Sequence, residues 1–284
     1  MSTLKELRGR IKTIRSTQKI TAAMQMVAAA KLRRSQDKVV SFRSYHDKMT
    51  FILNPLLTQE ISLDDWTPHD KKLLKGGDGP VLLLVMGTHR GLCGGYNANL
   101  IKAMIHEVDQ QTSPRLGIIG RKSLELLPNR LRASILPLPL FDNLDSLALD
   151  ALVDKLKEWL DEGKIGTIKV IHYTFKNIIT QTLQVTNLVP VVSLENPPKV
   201  PYLLLEPQVD HLLPTFLQDY LKVQLYRIFL ESNLCEQAAR MTAMDSATRN
   251  ARDILQKLQL TYNQTRQDHI TNQLIEIISA AQEM

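Results

Sequence analysis

The chain has 284 residues, 44% hydrophobic and 23% charged with 5% aromatic, a composition that excludes wholesale disorder and leaves core building to aliphatic side chains. Two cysteines, Cys93 and Cys235, exclude a disulfide framework or a cysteine-rich zinc site. The longest apolar run, Val81 to Met86, falls far short of the ~20 residues of a membrane span, and the N-terminus lacks the apolar stretch of a signal peptide, so the expectation is a soluble chain in a reducing compartment.

The net charge of +6 is unevenly distributed. Residues 1–50 hold twelve Lys or Arg against Glu6, Asp37 and Asp47, a net of +9, while the rest of the chain sums to −3. Basicity therefore reads as the property of one element.

Glycine and proline divide the chain. All 13 prolines lie between Pro55 and Pro214, and all 12 glycines except Gly9 lie between Gly76 and Gly166. These residues break regular helix, so the segments 1–54 and 215–284 are predicted as long helices of roughly 80 and 105 Å. Neither length fits inside a compact domain. Alternating steps of three and four from Leu4 reach Leu7, Ile11, Ile14, Gln18, Thr21, Gln25, Ala28, Leu32, Ser35, Val39, Phe42, His46, Met49, Leu53 and Leu56, mostly apolar over nearly eight heptads. From Phe216 the same stepping reaches Tyr220, Val223, Arg227, Leu230, Leu234, Gln237, Met241, Met244, Thr248, Ala251, Leu255, Leu258 and Tyr262. Both are coiled-coil seams, and pairing them antiparallel buries both. The last helix is longer, so its end, Ile270 to Ala281, is expected to protrude as a lone apolar tip that needs a socket elsewhere.

The middle reads as a small Rossmann-like α/β domain with a largely parallel sheet. Strands are expected at Val81–Met86, Arg115–Ile119, Leu131–Leu136, Lys169–Phe175 and Thr182–Val189, with helices at Asn99–Val108 and Leu147–Leu160. The six prolines from Pro190 to Pro214 predict an extended connector. The fold class is thus α/β, a long antiparallel coiled coil of the terminal helices plus a central domain. Its divisions are 1–57, a linker at 58–75, 76–208 and 209–284.

No catalytic constellation emerges. The loop GTHRGLCGGYN (Gly87 to Asn97) lies between a strand and a helix, but it is neither GxGxxG nor GxxxxGK[ST], so a tight turn outweighs a phosphate cradle. Cys93 has His89 nearby but no third orienting group, which favours a small buried thiol over a nucleophile. The histidines never recur at i, i+3 or i+4, so no metal site is expected, and no cofactor. The basic helix leaves two partners open, nucleic acid and an acidic protein surface, with the latter favoured because the apolar seam competes for the same helix. An α/β nucleotide-binding enzyme with a coiled-coil arm is the rival reading.

Three stretches carry a specific resemblance: LRGRIKTIRSTQKITAAMQMVAAAKLRRSQ (Leu7 to Gln36), RGLCGGYN (Arg90 to Asn97) and ESNLCEQAARMTAMDSATRNA (Glu231 to Ala251). Together with TYNQTRQDHITNQLIEIISAA (Thr261 to Ala281), they resemble the gamma subunits of the rotary ATP synthase family, in the same order along the chain. The resemblance implies a non-catalytic central-stalk rotor. Its coiled coil stands in a hexamer of alpha and beta subunits, and its α/β domain docks on epsilon and on the membrane ring of c subunits, with no nucleic acid partner. It implies a peripheral location on the cytoplasmic face of the bacterial inner membrane, or the matrix side for an organellar chain.

By position, Arg266 and Gln267 match the pair that meets a beta-subunit catch loop. Met24 and Lys19 lie where the first helix faces the beta lever, and Gln237 and Arg240 fall in the matching stretch of the last helix. The charge pattern adds Lys31, Arg33 and Arg34 to these expected rotor–stator contacts. Ile270, Leu274, Ile277 and Ile278 are the expected bearing. Gln273, Ala280 and His89 depart from the family pattern of Glu, Gly and an acidic residue.

Overall fold

In a computed structural model, the described residues are 4–57, 63, 66–138, 146–191 and 209–282. The first helix, α1, runs from Leu4 to Leu57, and the last, α6, from Val209 to Gln282 over 74 residues. Between them lie α2 (Pro68–Lys75), β1 (Val81–Met86), α3 (Tyr96–Asp109), β2 (Arg115–Ile119), α4 (Arg121–Glu125), α5 (Ser146–Asp161), β3 (Thr167–Phe175) and β4 (Gln181–Val189). The sheet order is β2-β1-β3-β4. Its first three strands are parallel, and β4 returns antiparallel on β3.

The chain divides into two compact units, Met1–Ala30 with Arg240–Met284, and Lys31–Ala239. This differs from a division at the coil ends, for a physical reason. Leu53 and Leu56 of α1 and Leu213, Leu217, Leu221, Leu225 and Ile228 of α6 are buried in one core with the sheet residues Leu82, Leu84 and Val170. The proximal halves of both long helices therefore belong to the α/β unit.

Alternation along β1 builds two cores. Leu82, Leu84 and Met86 face α2, α5 and the long helices, while Leu83 and Val85 face the opposite side with Leu100 and Met104 of α3 and Cys235 of α6.

Three sequence expectations are corrected. Part of the expected linker is α2, capped by Thr67, whose hydroxyl accepts from the Asp70 N–H at 3.2 Å, with Leu73 fully buried. Residues 58–62, 64 and 65 of that linker lie outside the described residues. The strand expected at Leu131–Leu136 is instead a 3-10 turn, Asn129–Ser134, followed by a single bridge from Ile135 to Leu116. Leu131 is its buried residue and Ala133, two residues on, is exposed, so the segment lacks the alternation of a half-buried strand. The connector expected to run to Pro214 gives way to helix at Val209, because burial of Leu213, Leu217 and Leu221 outweighs the backbone bond that Pro214 removes. Its stretch 192–208 lies outside the described residues.

Candidate partner-binding surfaces

In the unit of Met1–Ala30 and Arg240–Met284, helix pairing is antiparallel with a readable register. Arg8 donates to the Tyr262 hydroxyl at 3.1 Å, the Thr248 hydroxyl to the Thr21 hydroxyl at 2.8 Å, and Gln25 to the Asp245 carboxylate at 3.0 Å. Asp245 also pairs with Arg249 at 2.7 Å. Every seam position from Leu4 to Ala28, and from Met241 to Tyr262, is buried or half-buried. The polar seam residues Gln18, Thr21 and Gln25 thus sit where apolar packing would otherwise close the coil, and two of them are hydrogen-bonded across it.

Past Tyr262, α6 continues about 30 Å to Gln282. Residues 266–275 are all exposed, Arg266 and Gln267 among them. Ile270 is 48% exposed, Leu274 54%, Ile277 65% and Ile278 57%. The expected bearing residues therefore form an unpaired apolar tip. On α1 of this unit, Lys19 is exposed and Met24 half-buried.

In the unit of Lys31–Ala239, the helices are again antiparallel. Ser35 meets Asn233, the rings of Phe42 and Tyr226 pack edge to face at 4.9 Å, and His46 lies 2.7 Å from the Gln224 amide oxygen. Lys31, Arg33 and Arg34 are exposed around the buried Leu32, so the cationic collar faces outward. Gln237 of this unit, and Arg240 of the other, are each only 8% exposed. Gln237 occupies a seam position and Arg240 follows one turn later, so neither presents a broad surface to a partner.

The glycine-rich loop is turned inward. Gly87 donates its N–H to the Ile119 carbonyl at 2.8 Å, and the Thr88 N–H goes to Ser123 Oγ at 3.1 Å. Ser123 Oγ donates to Asn97 Oδ1 at 2.9 Å, and Asn97 Nδ2 donates to Thr88 Oγ1 at 2.7 Å. This closed ring of bonds ties the end of β1 to α3 and α4. The Tyr96 hydroxyl donates to the Ser232 carbonyl at 3.2 Å, fastening α3 to α6. Cys93 is buried with Asn97 Nδ2 at 3.6 Å from its sulfur, and burial pushes the Cys235 thiol up to about 12. Neither thiol is placed as a nucleophile. The ring was missed from sequence because Ser123 lies 26 residues from Asn97. Among the described residues, no group of three or more His, Cys, Asp or Glu could hold a metal ion, and no helix is long and apolar enough to cross a membrane.

The family model described as ATP synthase matches residues 3–284. The chain belongs to the ATP synthase gamma-chain family. The ATP synthase gamma chain of Geotalea daltonii is 37% identical over 289 residues, spanning 99% of each chain. That of Chloroherpeton thalassium is 34% identical over 313 residues, spanning 99% of this chain and 98% of its own. In fold, the chain is similar to one from the mitochondrial ATP synthase of Euglena gracilis, at TM-score 0.70 and 17% identity over 99% of this chain and 94% of that one. A chain from the central stalk and c-ring structure of Tetrahymena thermophila mitochondrial ATP synthase gives TM-score 0.58 at 21% identity, over 80% of this chain and 99% of that one. Gamma-chain membership accounts for the two outsized helices, which no small α/β domain requires.

Proposed function

We propose that this chain is the central-stalk rotor of an F-type ATP synthase, carrying torque between a membrane ring of c subunits and a hexamer of catalytic alpha and beta subunits. In this reading it performs no chemistry itself. The observation that carries the reading is the paired shaft ending in an unpaired apolar tip, on a chain of the gamma family. A lone helix with Ile270, Leu274, Ile277 and Ile278 exposed calls for an apolar socket, and a sleeve around a shaft supplies one.

The coupling surfaces follow from exposure. Lys19, Lys31, Arg33 and Arg34 engage acidic lever surfaces on the beta subunits, Met24 lies beside them, and Arg266 and Gln267 meet a loop near the tip. Exposed ion pairs are worth ~0–1 kcal/mol each, so contacts of this kind hold the rotor in shallow wells rather than locking it to one beta subunit. The α/β unit, with epsilon and the c ring as partners, takes the membrane-proximal end, and the subunit is peripheral on the cytoplasmic side of a bacterial membrane.

The test is reconstitution. The purified chain alone is expected to hydrolyse no ATP, and on mixing with alpha and beta subunits it should enter a complex whose ATP hydrolysis turns a bead fixed to the α/β unit. Turnover by the pure chain, or a complex that forms without it and still rotates, would overturn the reading.

A further inference from the structure

The cationic collar on α1 is not the whole of the basic surface. Between residues 115 and 132 stand Arg115, Arg121, Lys122, Arg130 and Arg132 against a single carboxylate, Glu125, in a region whose surroundings are net acidic. The fold gathers these residues on one flank. Arg115 opens β2, the outer strand of the sheet, and Arg121 opens α4 just past its end. The chain then returns along the same edge through the 3-10 turn, because the Leu136 N–H donates to the Leu116 carbonyl at 2.8 Å and Ile135 bridges Leu116.

All four arginines are exposed, and none makes an ion pair with a described residue. Lys122 is paired with Glu125. Leu126, just past the end of α4, is 53% exposed, while Leu127, Leu131 and Ser123 are buried and anchor the segment. The flank is thus anchored by buried side chains, and its arginines make no ion pair with a described residue.

We propose that this β2 flank docks an acidic segment of a partner protein, with carboxylates on Arg121, Arg130 and Arg132 and an apolar side chain over Leu126. Arginine rather than lysine supplies four of the five cations, and its fork matches a carboxylate bidentately. An exposed leucine with exposed arginines on either side of it in the chain has the make-up of a protein interface, where Arg is enriched and a small apolar centre is shielded by a polar rim. The proposal rests on the rotor reading only in taking that partner from the assembled complex.

The probe is a cysteine at the exposed Asn129 (Asn129→Cys), which leaves the arginines and Leu126 in place while Cys93 and Cys235 stay buried. Maleimide labelling is followed on the isolated chain and on the purified complex. Labelling should be at least tenfold slower in the complex at 50 mM salt and recover at 500 mM. Arg121→Glu/Arg130→Glu/Arg132→Glu should abolish the protection, whereas Lys31→Gln/Arg33→Gln/Arg34→Gln should keep it. In an Arg130→Lys/Arg132→Lys chain, carbodiimide should join these lysines to a carboxylate-rich stretch of one partner subunit. Equal labelling in chain and complex overturns the proposal, and so does protection that appears only with vesicles containing phosphatidylserine. On the isolated chain, a 20-residue alternating Glu-Leu peptide should slow labelling at least fivefold at 50 mM salt, and failure there also overturns it. If the peptide protects but the chain never co-purifies with alpha and beta subunits, the rotor reading fails and the acidic-docking flank stands.

Discussion

His172 lies on β3, 1% exposed, with Nε2 at 2.9 Å from the Thr186 hydroxyl and Nδ1 near the Tyr173 carbonyl. Burial drives its pKa down from 6.5 to about 4. The folded state then keeps the ring neutral while the unfolded chain takes up a proton below 6.5. Its contribution to stability is therefore complete above pH 6.5 and lost as the pH falls toward 4, at ~1.4 kcal/mol per pH unit. Urea unfolding at pH 7 and pH 5 should show a loss of about 2 kcal/mol that His172→Gln does not share. Gly87 is a second residue whose identity geometry dictates: a Cβ there would lie 2.0 Å from Ser123 Oγ and 2.4 Å from its Cβ. Gly87→Ala should cost about 2–4 kcal/mol by overpacking a ring of buried hydrogen bonds, and Ser123→Gly in the same chain should recover part of that cost. Both would be read from denaturation midpoints.

At the scale of elements, the seams explain why two very long helices exist at all. Helices of this length owe their order to packing of a continuous apolar stripe rather than to propensity. Leu255 is 8% exposed and Arg252 is exposed. Leu255→Asp should cost several kcal/mol by burying an unpaired carboxylate, whereas Arg252→Ala should stay within about 0.5 kcal/mol. Thermal melts followed by circular dichroism, with recovery of assembled complex, would separate them, and equal losses would refute the register. Beyond Tyr262, deleting residues 277–284 removes apolar surface without touching the paired seam. Assembly should weaken while rotation survives. A truncated complex that assembles normally yet cannot turn would make the tip a drive element.

Across the whole molecule, the cations Lys19, Lys31, Arg33 and Arg34 are all exposed, which suits a part that must slide. Reversing Lys19, Lys31, Arg33 and Arg34 to Glu should leave the isolated chain helical but lower the ratio of proton pumping to ATP hydrolysis, with the defect varying with salt. Each single neutralisation should be nearly silent, because an exposed pair contributes at most ~1 kcal/mol. An unchanged ratio at low and high salt in a normally assembled complex would reduce the collar to a solvated helix face.

What could be read from sequence was whatever depends on local period and composition. The absence of Gly and Pro marked both long helices, and steps of three and four placed every seam residue from Leu4 to Leu56 on the buried side, because neighbours on a helix face are neighbours in sequence. The greater length of α6 implied the apolar tip. Tertiary structure decided the rest. It turned Leu131–Leu136 from an expected strand into a 3-10 turn, made a capped core helix of Pro68–Lys75, and drew the proximal coil into the α/β unit. It buried Gln237 and Arg240, joined Ser123 to Asn97, and set Arg115 beside the returning 130–134 segment. Each of these outcomes depends on contacts between residues far apart in the chain. A one-dimensional pattern records which residues can be buried, but packing alone determines what buries them.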